Sequence, residues 1–296
     1  MASPDSAPST SDAKTASEWC RAYVESSDVA EKLRPAPRPG DGDPSLGAER
    51  DLPRRLPGPG RAAHLRVLDR AEKIPKPGAL VEASAVAKLL HVFLHHEIQA
   101  AELCAWAFLA FPEAPSEFRA GLLGILDDEV RHAALYAGRI EELGASYGDF
   151  PVRDWFWART LTATTPLQYV ALMGLGFEGG NLEHAARFEA LLREAGDERS
   201  ASLVGQVGRE EVSHVRFAAR WFSEWTHGDP TESPDFDRWR AELPPPLTPE
   251  VLRGKPLDRD RRRRAGLSES FLDRLDDFVD PLRPVRGARG KDPEVS

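Results

Sequence analysis

Leu90, Phe93, Leu94, Ala101 and Cys104 stand three, four and seven residues from Glu97, so all of them line one face of a helix. They belong to the first of four long helical stretches that the sequence predicts. This one spans about 81–110 and stops at Phe111-Pro112. The second, about 116–143, takes Ser116 as its N-cap and Gly144 as its C-terminal stop. The third, about 166–195, opens with Pro166 in the first turn behind Thr165 and closes at Gly196. The fourth, about 197–226, starts at Asp197 and ends before His227-Gly228. Links within each pair are short, whereas ASYGDFPVRDWFWARTLTATT between the pairs is long enough to carry a short helix. That order predicts an all-α protein, an antiparallel four-helix bundle with one long crossover.

Proline marks the bounds of this bundle. Of 25 prolines, only Pro112, Pro115, Pro151 and Pro166 fall within 79–228. A proline inside a helix costs about 3 kcal/mol, so long helices belong to that segment. The chain thus divides into three regions: a proline-rich arm over 1–78, the bundle over 79–228, and a proline-rich extension over 229–296. The runs RPAPRPGDGDPSLG and LPRRLPGPG are expected to be extended. Trp19, Tyr23 and RAAHLRVLDRAEKIP are expected to dock parts of the arm on the bundle. Near the end, DRDRRRRAGLSESFLDRLDDF reads as one helix with a basic entry. Its arginines over 259–264 read as a solvated face or as partners for the chain's own acids, with a phosphate or RNA contact as the alternative.

Composition narrows the function classes. A net charge of -9 argues against a nucleic-acid partner, which needs a basic footprint. No apolar run is long enough to span a bilayer, and the N-terminus lacks the apolar core of a secretory signal. Cys20 and Cys104 do not amount to a disulfide framework and fit a reducing, cytoplasmic setting; Cys104, in an apolar run, reads as a small buried hydrophobe.

Chemistry concentrates in one repeated phrase. DDEVRH at 127–132 and REEVSH at 209–214 each contain Glu-x-x-His, so Glu129 and His132 share one helix face, as do Glu211 and His214. A carboxylate beside a neutral imidazole suits iron or manganese. A dinuclear site needs one more carboxylate from each remaining helix. Glu97 lies 35 residues before His132 and Glu178 lies 36 before His214, so each hairpin brings its own glutamate level with its Glu-x-x-His. Both glutamates interrupt apolar surroundings, where an unpaired charge is costly. The bland alternative is a pair of solvated faces that happen to look alike. Glu102 and Glu183, five residues further along, point about 140° away and read as off-site, with Glu102 the fallback for Glu97. His91, His95, His96 and His184 are likewise out of phase.

HHEIQAAEL, DDEVRHAALYAGRIEELG, YGDFPVRDWFW, GFEGGNLEHAARF and EEVSHVRFAARWF, with LRGKPLDRDRRRRAGLS downstream, carry a resemblance. Over about 60–260 the chain resembles the ferritin-like di-iron carboxylate proteins, and among them an uncharacterised bacterial domain-of-unknown-function family. The resemblance implies a ferritin-like bundle, six ligands (Glu97, Glu129, His132, Glu178, Glu211, His214) and two iron ions, or one iron with one manganese. It also implies that Asp128 reaches His214 and Glu210 reaches His132. Arg131 or Arg209 then either balances the acidic cluster or stays on the surface. Tyr136, one turn after His132, is either redox-active or an ordinary core aromatic.

Gly174, Gly176, Gly179 and Gly180 around Glu178 forfeit about 3–4 kcal/mol of helix propensity against alanine. Close helix approach, a bulge that re-aims Glu178, or open space beside the metals would each account for them. The leading expectation is an oxygen-activating oxidase or hydroxylase, a monomer or homodimer in the cytoplasm. It would act on a small organic substrate with O2 as co-substrate and an electron donor the sequence does not name. The alternatives are a ferroxidase or iron store, a tRNA-modifying hydroxylase, and a metal-free scaffold.

Overall fold

Side-chain caps decide where most of the helices begin. In the computed structural model, which describes residues 9–39, 55–70 and 73–280, Thr15 accepts from the Glu18 amide to open α1 (Ala16–Glu25). Asp28 caps α2 (Val29–Leu33) by accepting from the Ala30 amide. Next come the two long helices of the first hairpin, α3 (Ala83–Ala110) and α4 (Ser116–Glu142). Ser116 is not the cap of α4. Pro115, with an extended ψ of 143°, holds the cap position, and Ser116 is already helical. The crossover carries the expected short helix, α5 (Trp155–Thr160).

The second hairpin departs from a single continuous helix. Thr165 caps α6 (Pro166–Leu172), a π turn runs over Met173–Glu178, and α7 (Gly179–Glu194) continues the rod. Asp197 then caps α8 (Glu198–His227), which Gly228 ends at φ 74°. Beyond it come α9 (Phe236–Glu242), α10 (Arg259–Arg264) and α11 (Glu269–Asp277). The one basic helix expected at the end is therefore two. Gly266 turns the chain at φ 94°, and Ser268 caps the next helix by accepting from the Phe271 amide. Among the described residues the chain is an all-helical bundle with no strand beyond a lone bridge between Val67 and Val152. Of the runs expected to be extended, positions 40–54 lie outside the described residues.

Packing follows the hairpins: α3 pairs with α4, α6 and α7 with α8, and α4 meets α8 across the middle. From the arm, α1 lies on α3 and α2 on α4, with Trp19 and Tyr23 buried. Two apolar clusters fill the interior. One contains Trp106, Phe108, Tyr169 and Phe222; the other contains Leu90, Leu94, Ile140 and Phe188. The change from one to the other falls between Ile98 and Ala100 on α3, Leu126 and Ala133 on α4, and Val207 and Val212 on α8. Glu129 and Glu211 stand within the last two intervals, and Glu97 comes one residue before the first. The fold thus leaves an acidic belt between two hydrophobic layers.

Candidate metal centre

On α4, positions 129 and 132 follow the inward face set by Leu126 and Ala133, so Glu129 and His132 are wholly buried. On α8, Glu211 and His214 occupy the same phase beside Val212 and Val215 and are buried too. Glu97 on α3 and Glu178 at the end of the π turn are 5% and 8% exposed. Glu97, Glu129, His132 and Glu211 each offer a ligand atom within 4.8 Å of the others; Glu178 and His214 fall outside that group of four. His132 Nδ1 lies 3.3 Å from Glu211 and 3.6 Å from both Glu97 and Glu129. His214 Nδ1 lies 2.8 Å from Glu211 and 3.0 Å from Glu129. Glu129 and Glu211 therefore stand between the two imidazoles.

Both rings present Nδ1 inward and Nε2 outward. Glu210 Oε2 takes His132 Nε2 at 2.7 Å, and Asp128 Oδ2 takes His214 Nε2 at 3.3 Å. Each outer carboxylate thus reaches across to the histidine of the other helix. Arg131 joins them, with one guanidinium nitrogen 2.8 Å from Asp128 and 2.8 Å from Glu210. Arg209 takes no part, its nearest acid being Glu189 at 3.8 Å.

The donor set is short of partners. Both oxygens of Glu129, one of Glu211 and His132 Nδ1 are buried without a hydrogen bond. Unpaired buried oxygens of this kind are costly, and a cation is their natural complement. Burial and the charge of Glu129 push the Glu97 carboxyl well above the usual range; burial and Glu211 do the same to Glu178. At His132 burial opposes the charged ring, but contacts to Glu129, Glu211 and Glu97 outweigh it and hold the proton. A bound cation would displace protons from such a cluster.

Two cavities border it. The larger, about 360 Å³, is lined by Glu97 and Glu178, with Phe156, Phe177 and Leu252 among its walls. The smaller, about 30 Å³, touches Glu178, His214, Cys104 and Tyr169. The glycines serve all three purposes open to them. A Cβ on Gly174 would stand 2.1 Å from that of Ala218, so the π turn and α8 could not approach as they do. The π turn re-aims Glu178, and Gly176 and Gly180 border the larger cavity.

Residues out of phase with the cluster have other partners. Glu102 binds Arg61 at 2.6 and 2.8 Å, Lys32 at 2.9 Å and Trp157 Nε1 at 2.7 Å, so it is not needed as a substitute for Glu97. Glu183 accepts from Arg262 at 2.7 and 2.8 Å. His95 sits between Tyr147 and Asp154, and His91 accepts from the Gly148 amide. His96 faces Phe156 at 4.8 Å, with His184 on the same cavity wall. Tyr136 is buried against Phe93, its ionisation opposed by burial and by Glu97, Glu211 and Glu129.

A family model described as Protein of unknown function (DUF455) matches residues 11–273, most of the chain. The chain belongs to this family. Its extent takes in α1, the bundle and most of α11, so the DUF455 unit includes the arm and the extension as well as the ligand-bearing hairpins. No curated protein and no solved structure matches the chain.

Tyr169 joins the site without any signal in the sequence. Its hydroxyl donates to Cys104 Sγ at 3.5 Å beside the His214 edge of the cluster. Nine residues from Glu178, it falls half a turn away on an ideal helix. Only the π turn alters that phase.

Proposed function

We propose that this DUF455 protein is an oxygen-activating dinuclear iron oxidase or hydroxylase with a ferritin-like bundle, acting on a small organic substrate. One observation carries the reading: a buried cluster of carboxylates and imidazoles opens, through Glu97 and Glu178, onto an apolar cavity of about 360 Å³. A store needs the cluster but has no use for the cavity.

Carboxylate and imidazole donors suit iron and manganese. Glu97, Glu129, His132, Glu178, Glu211 and His214 would hold the ions. When bound, the iron pair supplies the redox couple that reduces O2. Hydroxylation of a C–H bond consumes one O2, two electrons from an external reductant and two protons, giving the alcohol and water. The chain's own part is to position and exclude. Asp128 and Glu210 fix both imidazoles with Nδ1 inward. Phe156 and Phe177 wall the approach against water, and Glu178 borders the cavity that would take the substrate.

The test is anaerobic loading with ferrous iron followed by metal analysis and O2 uptake. Two ions per chain are expected, with Glu129→Ala and His214→Ala each losing at least one and losing O2 uptake. Unchanged stoichiometry in both variants would sink the proposal. A wild-type protein that loads two irons and mineralises further iron without consuming an organic substrate would favour storage.

A further inference from the structure

Three polar side chains beside the metal cluster are without a protein partner. His96 on α3 and both Asn181 and His184 on α7 line the larger cavity, together with Glu97 and Glu178. Asn181 and His184 are three residues apart and share one helix face. Among the described residues, none of the three has a side-chain hydrogen bond or ion pair. Their neighbours on α3 differ: His95 is bonded to Tyr147 and Asp154, and His91 accepts from the Gly148 amide.

Hydration accounts for an exposed histidine such as His184 but not for the setting of His96, which is half-buried. Its ring lies on Phe156 with centres 4.8 Å apart and planes 27° from parallel, and Phe156 lies on Phe177 at 4.6 Å and 13°. Stacking holds such a ring in place without a hydrogen bond, so its edge nitrogens stay free for a ligand. Binding cavities combine apolar walls with a few polar groups that set orientation. A neutral imidazole offers one donor and one acceptor, and a carboxamide offers both at one tip. Together they complement an edge that carries a donor beside an acceptor, while the stacked rings complement a flat body.

We infer that His96, Asn181 and His184 determine the specificity of this cavity, and that it takes a flat ring compound with an N–H and a C=O side by side on its edge, as in an aromatic lactam. A ligand without that edge strips water from the three groups and gives them no partner, which is how such a site discriminates. The ring body lies against the Phe156 and Phe177 wall. The inference rests on the proposed function for calling this ligand a substrate, but its binding is measured without turnover.

The probe is 2-quinolinone, titrated calorimetrically into the full chain. Its comparators are 2-methylnaphthalene, a flat ring without the polar edge, and caprolactam, the polar edge without the flat ring. Iron content after anaerobic loading is measured on the same protein. The quinolinone is expected to bind at least tenfold more tightly than either comparator. Asn181→Leu and His184→Leu should each weaken it severalfold and leave 2-methylnaphthalene binding unchanged, a split that lost folding would not produce. His96→Phe keeps a ring on Phe156, removes both nitrogens and should act in the same way. His184 is exposed, so His184→Leu alone keeps the test informative should the other variants misfold. Equal affinity for quinolinone and methylnaphthalene, or a His184→Leu variant that keeps the full preference, would overturn the inference. Protein that loads iron yet shows no preference for the quinolinone disproves the ligand class and leaves the metal centre standing. Protein that shows the preference but never loads iron keeps the ligand site and sinks the proposed function.

Discussion

Each imidazole of the cluster is gripped from two sides, by buried glutamates at Nδ1 and by an outer carboxylate at Nε2. Asp128 and Glu210 differ from the buried glutamates in reaching solvent, and Arg131 ties the two together. Their charge keeps the rings oriented. Burial opposes the charge on Glu210, but His132 and Arg131 outweigh it and leave the carboxyl ionised down to about 2. Asp128→Asn and Glu210→Gln should each weaken metal affinity about 10- to 100-fold while leaving the stoichiometry at saturation unchanged, as read by competition with a chelator. At this scale the grouping of Glu97, Glu129, His132 and Glu211 was legible because Glu-x-x-His sets two side chains on one face and because a charge in an apolar stripe stands out. Tyr169 and Cys104 were not. Their approach to His214 depends on backbone geometry that no spacing rule contains.

Among the elements, the rod of α6, the π turn and α7 is the unusual one. The helix expected over about 166–195 widens at Met173–Glu178. Glycine-rich sequence made a bulge one of three readings, but which glycine did what required the partner helix. Gly174 is the close approach: its missing Cβ is the space that Ala218 fills. Gly174→Ala should therefore destabilise the fold by about 1–3 kcal/mol, seen as a lower denaturant midpoint, because two methyl carbons on two backbones cannot both move aside. The split of the terminal basic helix was legible in part, since Gly266 and Ser268 are a stop and a start signal within three residues. The arginines upstream turn inward as well as outward. Arg262 is buried on Glu183, Arg261 donates to the Leu182 carbonyl, and Arg259 and Arg263 pair with Glu269.

For the molecule as a whole, Glu102 is the fastening between arm and bundle. Lys32 from α2 and Arg61 from the arm converge on this one buried carboxylate, and Arg61 continues to Asp154 at 2.8 Å. The sequence showed Glu102 to be out of phase with the metal ligands but not what it faced, because both partners come from regions without periodicity. Glu102→Gln leaves two cations poorly compensated in the interior and should cost about 3–5 kcal/mol, measured by chemical unfolding. Burial opposes ionisation of Glu102, yet Arg61 and Lys32 outweigh it and hold the carboxyl below its ordinary value. His95 and Arg61 likewise overcome burial at Asp154. Carboxyls depressed in the folded state stabilise it above their unfolded values, near pH 4, and cease to as pH falls through the folded ones. Acid should therefore loosen the arm, detectable as a change in Trp19 emission and faster proteolysis near residue 34.

Leu252, which walls the larger cavity, is held in place by residues further along the chain: the backbone amides of Gly254 and Asp258 and the guanidinium of Arg262 all bind Glu183. A ribosome making this chain exposes Glu97, Glu129, His132 and Glu211 well before it reaches those residues. A chain cut short after α8 would thus carry the buried acidic cluster without the wall that borders its cavity.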